Sequence, residues 1–443
     1  MWTPPIIRRL TANDFFRHNL IAFIGSVGVA ALNYLYYPVL GRVMSPADFG
    51  EVQALNSLFL QIVIFLGVFN FVVVGAVAKS DDPAVQNRLI AELEKLATLI
   101  AVTIAAILLV FAPQITAFFR LQATAPYLLL LVALLLSVPG AVRTAYLQGR
   151  RDFGGIAVAG AITALGKLLI GLALVLVGWR TFGAMVGVVV AQVLTLAYAT
   201  WLIRRHGWRR PGGFSRTKLP DLALLRPELA FATLVFIATF SLNCFLSIDI
   251  LAVKHWFDPH TAGLYGGIET LGRIVFFINV SVAGVLLPSV KLSRPAHENR
   301  QLLYRSLAVV VALGAGVLTV FALAPRLLVQ ILMGAKFLPY ADLLPRLGLF
   351  MFLAAIINLL CNYYLAQRRW FIAGATASGL VLTLLALGLH HATPGAVVES
   401  LIMGGVLTLG LVAVFRWAAG PARYSPPLAE PPKKVSQLPG LSR

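Results

Sequence analysis

Twelve runs of roughly 20 mainly apolar residues divide this chain, and each is long enough to cross the hydrocarbon core of a bilayer. Their approximate limits are 17–40, 52–77, 96–118, 126–147, 156–178, 183–203, 228–252, 264–288, 303–324, 343–366, 370–390 and 396–417. Of the 443 residues, 59% are hydrophobic and only 12% charged. Soluble domains carry about 25% charged residues, so this surface has too little charge to face water and must face lipid. The expectation is an all-α integral membrane protein with about twelve transmembrane helices. The first run has no clear small-x-small cleavage site and is read as a span rather than a signal peptide.

Basic residues orient the spans. The chain holds 36 Lys and Arg against 17 Asp and Glu. With the N-terminus cytoplasmic, 27 Lys and Arg fall on the cytoplasmic side. Seven fall on the other side: Arg42, Arg120, Arg180, Lys254, Arg326, Lys336 and Arg346. Lys167 and Arg273 lie within spans. This asymmetry predicts two cytoplasmic termini. No basic soluble domain is present, so nucleic acid is not expected as a partner. Anionic membrane lipid is.

The chain also repeats itself. "YLQGRRDF" at 146–153 and "YLAQRRWF" at 364–371 share five of eight letters at an offset of 218. "SPADFG" at 45–50 matches "DPHTAG" at 258–263 at an offset of 213, and "GAMV" at 183–186 matches "GAVV" at 395–398 at 212. Each landmark has a local reason. Ser45-Pro46 and Asp258-Pro259 are helix starts, and the paired arginines hold topology by snorkelling. Local reasons do not explain the common period. Six spans per half with the same starting side predict two parallel six-helix lobes with a substrate site between them. The expected divisions are an N-terminal lobe at 1–203, a basic cytoplasmic linker at 204–227, a C-terminal lobe at 228–419 and a disordered Pro-rich tail at 420–443. The linker holds seven basic residues, and its "LPDLALL" is read as a short helix lying on the membrane.

The stretch "YYPVLGRVMSPADFGEVQAL" resembles the polysaccharide-transporter branch of the multidrug/oligosaccharidyl-lipid/polysaccharide flippase superfamily. Its short turn of a basic residue, Ser-Pro and Phe-Gly is similar to that of members, and the resemblance runs over about 17–417. It implies a V-shaped pair of lobes that moves an undecaprenyl-pyrophosphate-linked sugar unit across the bacterial inner membrane. It also implies a polysaccharide polymerase and chain-length proteins as partners.

Four ionisable residues inside spans are singled out: Lys167, Asp249, Glu269 and Arg273. A charge at mid-helix costs ~2.5–3.5 kcal/mol on insertion scales, so it faces a cavity or a partner. Glu269 and Arg273 share one helix face. They are read equally as a structural ion pair and as a substrate-binding pair, with Arg273 a cation for pyrophosphate. Lys167 has no carboxylate three or four residues away and points to a water-filled cavity. Asp249 is placed in the last turn of its span, either a satisfied helix-end residue or, with Glu269, an ion-coupling carboxylate. In the repeat, Asn56 stands opposite Glu269, Leu60 opposite Arg273 and Leu385 opposite Lys167. Charge is thus asymmetric on a near-symmetric frame, as one ligand with a phosphate end and a sugar end would need, and as drift would also produce.

Other features read as structural. Tyr34, Tyr36 and Tyr37 are expected to form an interfacial belt. Cys244 and Cys361 are read as small buried residues, and His390-His391 lacks a third ligand, so neither metal nor cofactor is expected. "SDDP" at 80–83 resembles an acidic metal pair but falls on the cytoplasmic side. No nucleophile constellation appears, so an enzyme of polysaccharide assembly is disfavoured. A cation-coupled multidrug exporter of the same superfamily would favour carboxylates over Lys167 and Arg273 at mid-depth.

Overall fold

The computed structural model describes residues 28–79, 83–150, 152–205, 207, 226–290 and 296–420. The linker helix expected near 219–225, the "SDDP" pair apart from Pro83, the first part of the first span and nearly all of the tail lie outside the described residues.

Helices follow one another in two series. The first is α1 (28–43), α2 (Pro46–Val63), α3 (Leu66–Lys79), α4 (Pro83–Val110), α5 (Ala112–Phe118), α6 (Thr124–Gly149), α7 (Phe153–Leu174) and α8 (Arg180–Arg205). The second is α9 (Arg226–Trp256), α10 (Pro259–Ser289), α11 (Ala296–Leu323), α12 (Pro325–Leu332), α13 (Leu344–Ala366), α14 (Phe371–Leu389) and α15 (Pro394–Ala418). A 3-10 segment, Ala335–Leu343, precedes α13. Taking α2 with α3, α4 with α5 and α11 with α12 as single interrupted crossings gives twelve.

Their ends obey local chemistry. Ser45 caps α2 by accepting from Asp48 N at 3.2 Å, ahead of Pro46 at the first helical position. Asp258 accepts from the backbone N–H groups of His260 and Thr261 at 3.0 Å each, ahead of Pro259. Thr393 caps α15 in the same way, ahead of Pro394. The stretch from Phe153 to Arg205 is helical almost throughout yet makes two crossings, because Gly178 (φ 100°) and Arg180 (φ 47°) reverse it. Gly supplies the first of these backbones without strain. The short helices α5 and α12 take corresponding places in the two series, each ending its half's third crossing and each with Pro in its first turn.

The turns after alternate crossings meet at one end. Arg42 Nη2 donates to Ile331 O, Arg120 Nη1 to Phe257 O at 3.3 Å and Thr181 Oγ1 to Asp48 O at 3.4 Å, while Trp256 stacks on His391 at 4.0 Å. Only up-and-down helices bring these segments together. This basic-poor end carries the seven scattered basic residues. Large apolar side chains such as Leu99 (63% exposed) and Leu169 (62%) point outward at mid-helix, as a lipid-facing surface requires.

The halves touch chiefly through α1, α2 and α3 against α9 and α10. Gly50 and Gly263, 213 residues apart, meet directly: a Cβ on Gly50 would lie 2.6 Å from Gly263 Cα. Gln53 Nε2 reaches Gly266 O at 3.4 Å, again 213 residues away. Equivalent residues that touch one another mark the position of a pseudo-twofold axis. Among the described residues, hydrogen bonds between the halves run from the basic-poor end to about mid-depth. Gln61, which donates to Asn243 O at 3.4 Å and accepts from Cys244 Sγ, is the deepest of them.

Candidate functional site

The four intramembrane charges gather around the contact between the halves. Glu269 on α10 is fully buried and accepts from Arg273 Nε one helical turn on. The pair expected from the i, i+4 spacing therefore forms. Arg273 Nη2 also donates to Leu246 O on α9 at 3.0 Å. The pair is not closed within its own half: Gln53 of α2 donates to Glu269 Oε2 at 3.4 Å and to Thr270 Oγ1, and Tyr34 OH donates to Thr270 O at 3.3 Å. The second half's charges are thus read by polar groups of the first.

Among the described residues, no carboxylate lies against Lys167 of α7. Its ammonium lies over the Tyr36 ring at 4.7 Å and the Tyr37 ring at 5.6 Å, within cation–π range. Tyr37 OH in turn accepts from Asn56 Nδ2 at 2.7 Å, and the charges of Arg273 and Glu269 both act on Tyr37. Tyr37 is therefore within the influence of cations from both halves, Lys167 and Arg273. The tyrosines are not the interfacial belt expected from their position. Tyr36 is 2% exposed, and Tyr34 and Tyr37 are part-buried in cross-half contacts. Helix α1 is sandwiched between the halves here, so its aromatic face meets protein instead of headgroups.

Asp249 also departs from expectation. Helix α9 continues to Trp256, so Asp249 is two turns inside the end and fully buried. Tyr265 OH donates to its Oδ2 at 3.1 Å, and its Oδ1 has no hydrogen-bond partner among the described residues. Its charge reaches both Glu269 and Arg273. Two carboxylates therefore share the field of one guanidinium. Cys361 is buried as expected, but Cys244 uses its thiol across the halves on Gln61. His390 faces Glu399 at 3.4 Å, and His391 stacks on Trp256.

Sequence reasoning missed other polar groups. Arg143 is 9% exposed and pairs with Glu94 at 3.0 Å and with Thr200 Oγ1 at 2.9 Å, inside the first half. Lys254, read from sequence as a loop cation, is fully buried, as are Glu51 and Asp48 opposite it. A signal was present: Glu51 and Gln53 interrupt the apolar run that follows Gly50.

The fold is similar to an inward-facing multidrug resistance MATE family transporter of the MOP superfamily, at TM-score 0.69 and 13% identity, covering 87% of this chain and 94% of that one. It is similar to the lipid II flippase MurJ in an inward closed conformation, at TM-score 0.67 and 13% identity, covering 89% and 87%. A MOP superfamily transporter from Pyrococcus furiosus, described as having a reversed binding-pocket polarity, is similar at TM-score 0.55 and 15% identity, covering 90% and 94%. No curated protein matches significantly. At these identities the structures show the fold alone: a multi-pass membrane protein built as the transporters and flippases of this superfamily are. The family model described as "Polysaccharide biosynthesis protein" matches residues 17–291, more than half of the chain. This chain belongs to that family, in the polysaccharide flippase branch of the superfamily.

Proposed function

We propose that the protein flips a lipid-linked oligosaccharide, an undecaprenyl-pyrophosphate sugar unit, across the bacterial inner membrane for surface polysaccharide assembly. Both termini are cytoplasmic in this reading, residues 1–203 and 228–419 are the moving lobes, and access alternates by rocking one against the other. The observation that supports the proposal is that Lys167 of the first half and Arg273 of the second both act on Tyr37, the former from 5.6 Å over its ring. Lys167, which has no carboxylate against it among the described residues, is not easily kept at mid-depth without an anion or water, whereas Arg273 is already paired with Glu269. A pyrophosphate is an anion of suitable charge, and the lipid tail stays in the bilayer. Lys167, Arg273 and Glu269 are the proposed substrate-binding residues. Asp249 and Glu269 are the proposed coupling carboxylates. A polymerase and chain-length proteins would take the delivered unit onward.

A second reading, a cation-coupled multidrug exporter, is favoured by one observation, the buried Asp249 Oδ1 without a partner beside Glu269. The family match to polysaccharide biosynthesis favours the first. Export of surface polymer, with membrane protein level as control, separates them. Arg273→Ala and Lys167→Met each abolish export, and Arg273→Lys retains part of it. Glu269→Gln combined with Arg273→Gln stays inactive. Restored export in that double variant would make Arg273 only Glu269's structural partner and remove it from the site.

A further inference from the structure

A second buried charge cluster lies at the basic-poor end, away from the site above. Glu51 (1% exposed) and Asp48 (5%) project from the first two turns of α2, and Lys254 (0%) from the end of α9, so the cluster spans both halves. Asp48 has partners of its own. Ser45 Oγ donates to its Oδ2 at 2.7 Å, and Arg180 Nε lies 3.8 Å from the same oxygen. Glu51 is half satisfied: Gln122 N donates to Oε2 at 3.2 Å, while Oε1 has no hydrogen-bond partner among the described residues. Lys254 Nζ has none either. The charges acting on Lys254 are those of Glu51, Asp48 and Asp258. An ammonium and a carboxylate oxygen are thus buried in each other's field, across the contact between the halves, with no direct bond.

We propose that Lys254 and Glu51 form a charge lock that holds the basic-poor end shut and is built to release. Burial strips water from both groups, and the loss is offset by their mutual attraction, with help from Gln122 N on Glu51 and from Asp48 and Asp258 on Lys254. A pair fully tied by hydrogen bonds would resist opening. This one regains hydration on both partners as soon as α2 and α9 separate, so the closed and open states stay close in free energy. The backbone contact of Gly50 with Gly263 beside it supplies shape, and the pair makes closure depend on charge balance. Its service in transport rests on the flippase reading, but the closure itself does not.

The test needs no substrate. Spin labels are placed at Thr124→Cys and His260→Cys, exposed positions of the two halves at this end, in the full chain with Cys244→Ala and Cys361→Ala. Pulsed-resonance distances are read on monodisperse protein in lipid nanodiscs. The parent and Lys254→Arg give mainly the short distance. Lys254→Met leaves Glu51 buried without its cation and raises the long-distance population about tenfold, within the usual range of coupling between two states. Glu51→Gln acts in the same direction. Lys254→Met with Glu51→Gln together return the distribution towards the parent, because removing both members of a buried pair is far less costly than removing one. Single variants indistinguishable from the parent, or a double variant more open than either single, would overturn the lock while leaving the flippase reading untouched.

Discussion

Replacing Gly50 or Gly263 by Ala tests whether the backbone contact closes the basic-poor end. A Cβ on Gly50 would lie 2.6 Å from Gly263 Cα and 2.8 Å from Gly263 N. Carbon atoms settle at about 3.5–4.0 Å, so α2 and α10 must part by roughly 1 Å. A Cβ on Gly263 is worse placed, because it would overlap the Pro46 carbonyl and lie 3.0 Å from Ala47 N. In both cases the obstacle is backbone, which cannot turn aside as a side chain would. Overpacking of this kind costs typically about 1–3 kcal/mol. If that cost falls on the closed state only, the closed-to-open ratio drops about 5- to 150-fold. The assay is maleimide modification of Met44→Cys, a buried position (3% exposed) in the adjoining turn, with Cys244 and Cys361 removed. Gly263→Ala should label fastest, Gly50→Ala next, and the parent slowest. Gly316→Ala is the control, since nothing lies within 4 Å of its Cβ, and it should label like the parent. Equal rates in all four proteins would refute the reasoning.

Two further outcomes are expected. Arg326→Cys, exposed at the basic-poor end, should react with an impermeant maleimide in intact cells and Arg209→Cys should not; the reverse pattern would invert the proposed orientation. Asp258→Ala should destabilise the protein by about 0.5–2 kcal/mol through loss of the α10 cap, read as the apparent melting temperature in detergent. Hydrogen bonds from the Thr261 side chain and backbone hold the Asp258 carboxyl below its ordinary range. Its contribution is therefore full above the unfolded-state value near 3.9 and is lost as pH falls through the lower folded value. The parent–variant difference should be flat from pH 5 to 8 and shrink only below about pH 4.

The crossings were legible because the signals that make them are local. Twenty-residue apolar runs, Pro after a capping residue and unequal basic loops each act within a few turns. The paired Glu269 and Arg273 were legible for the same reason, being one turn apart. The partners of these residues were not legible. Tyr34 meets Thr270 across 236 residues, and Gln53 meets Glu269 across 216, so both depend on how the halves pack. Lys254 shows how sensitive burial is to a helix end. Ending span 7 at residue 252 puts it in a loop, whereas one more turn, to Trp256, puts it in the closed core. The landmarks "SPADFG" and "DPHTAG" were read as helix starts, which they are. Their final glycines do something no local rule shows: Gly50 is small because Gly263 lies opposite it, and Gly263 because the backbone of Pro46 and Ala47 does.

That contact bears on the asymmetry of charge. Near a twofold axis a residue faces its own counterpart, so a charge repeated in both halves would face a like charge. Gln53 touches Gly266, its counterpart, and also Glu269, the counterpart of Asn56. A carboxylate at both 56 and 269 would place two of them close together in a dry interface already holding Asp249. A neutral amide at 56 avoids that and still serves Tyr37 as a donor. Duplication can supply matching helices and matching glycines at the axis, but it cannot supply matching charges there. The charged residues must diverge even where the backbone does not, before any ligand imposes its own asymmetry.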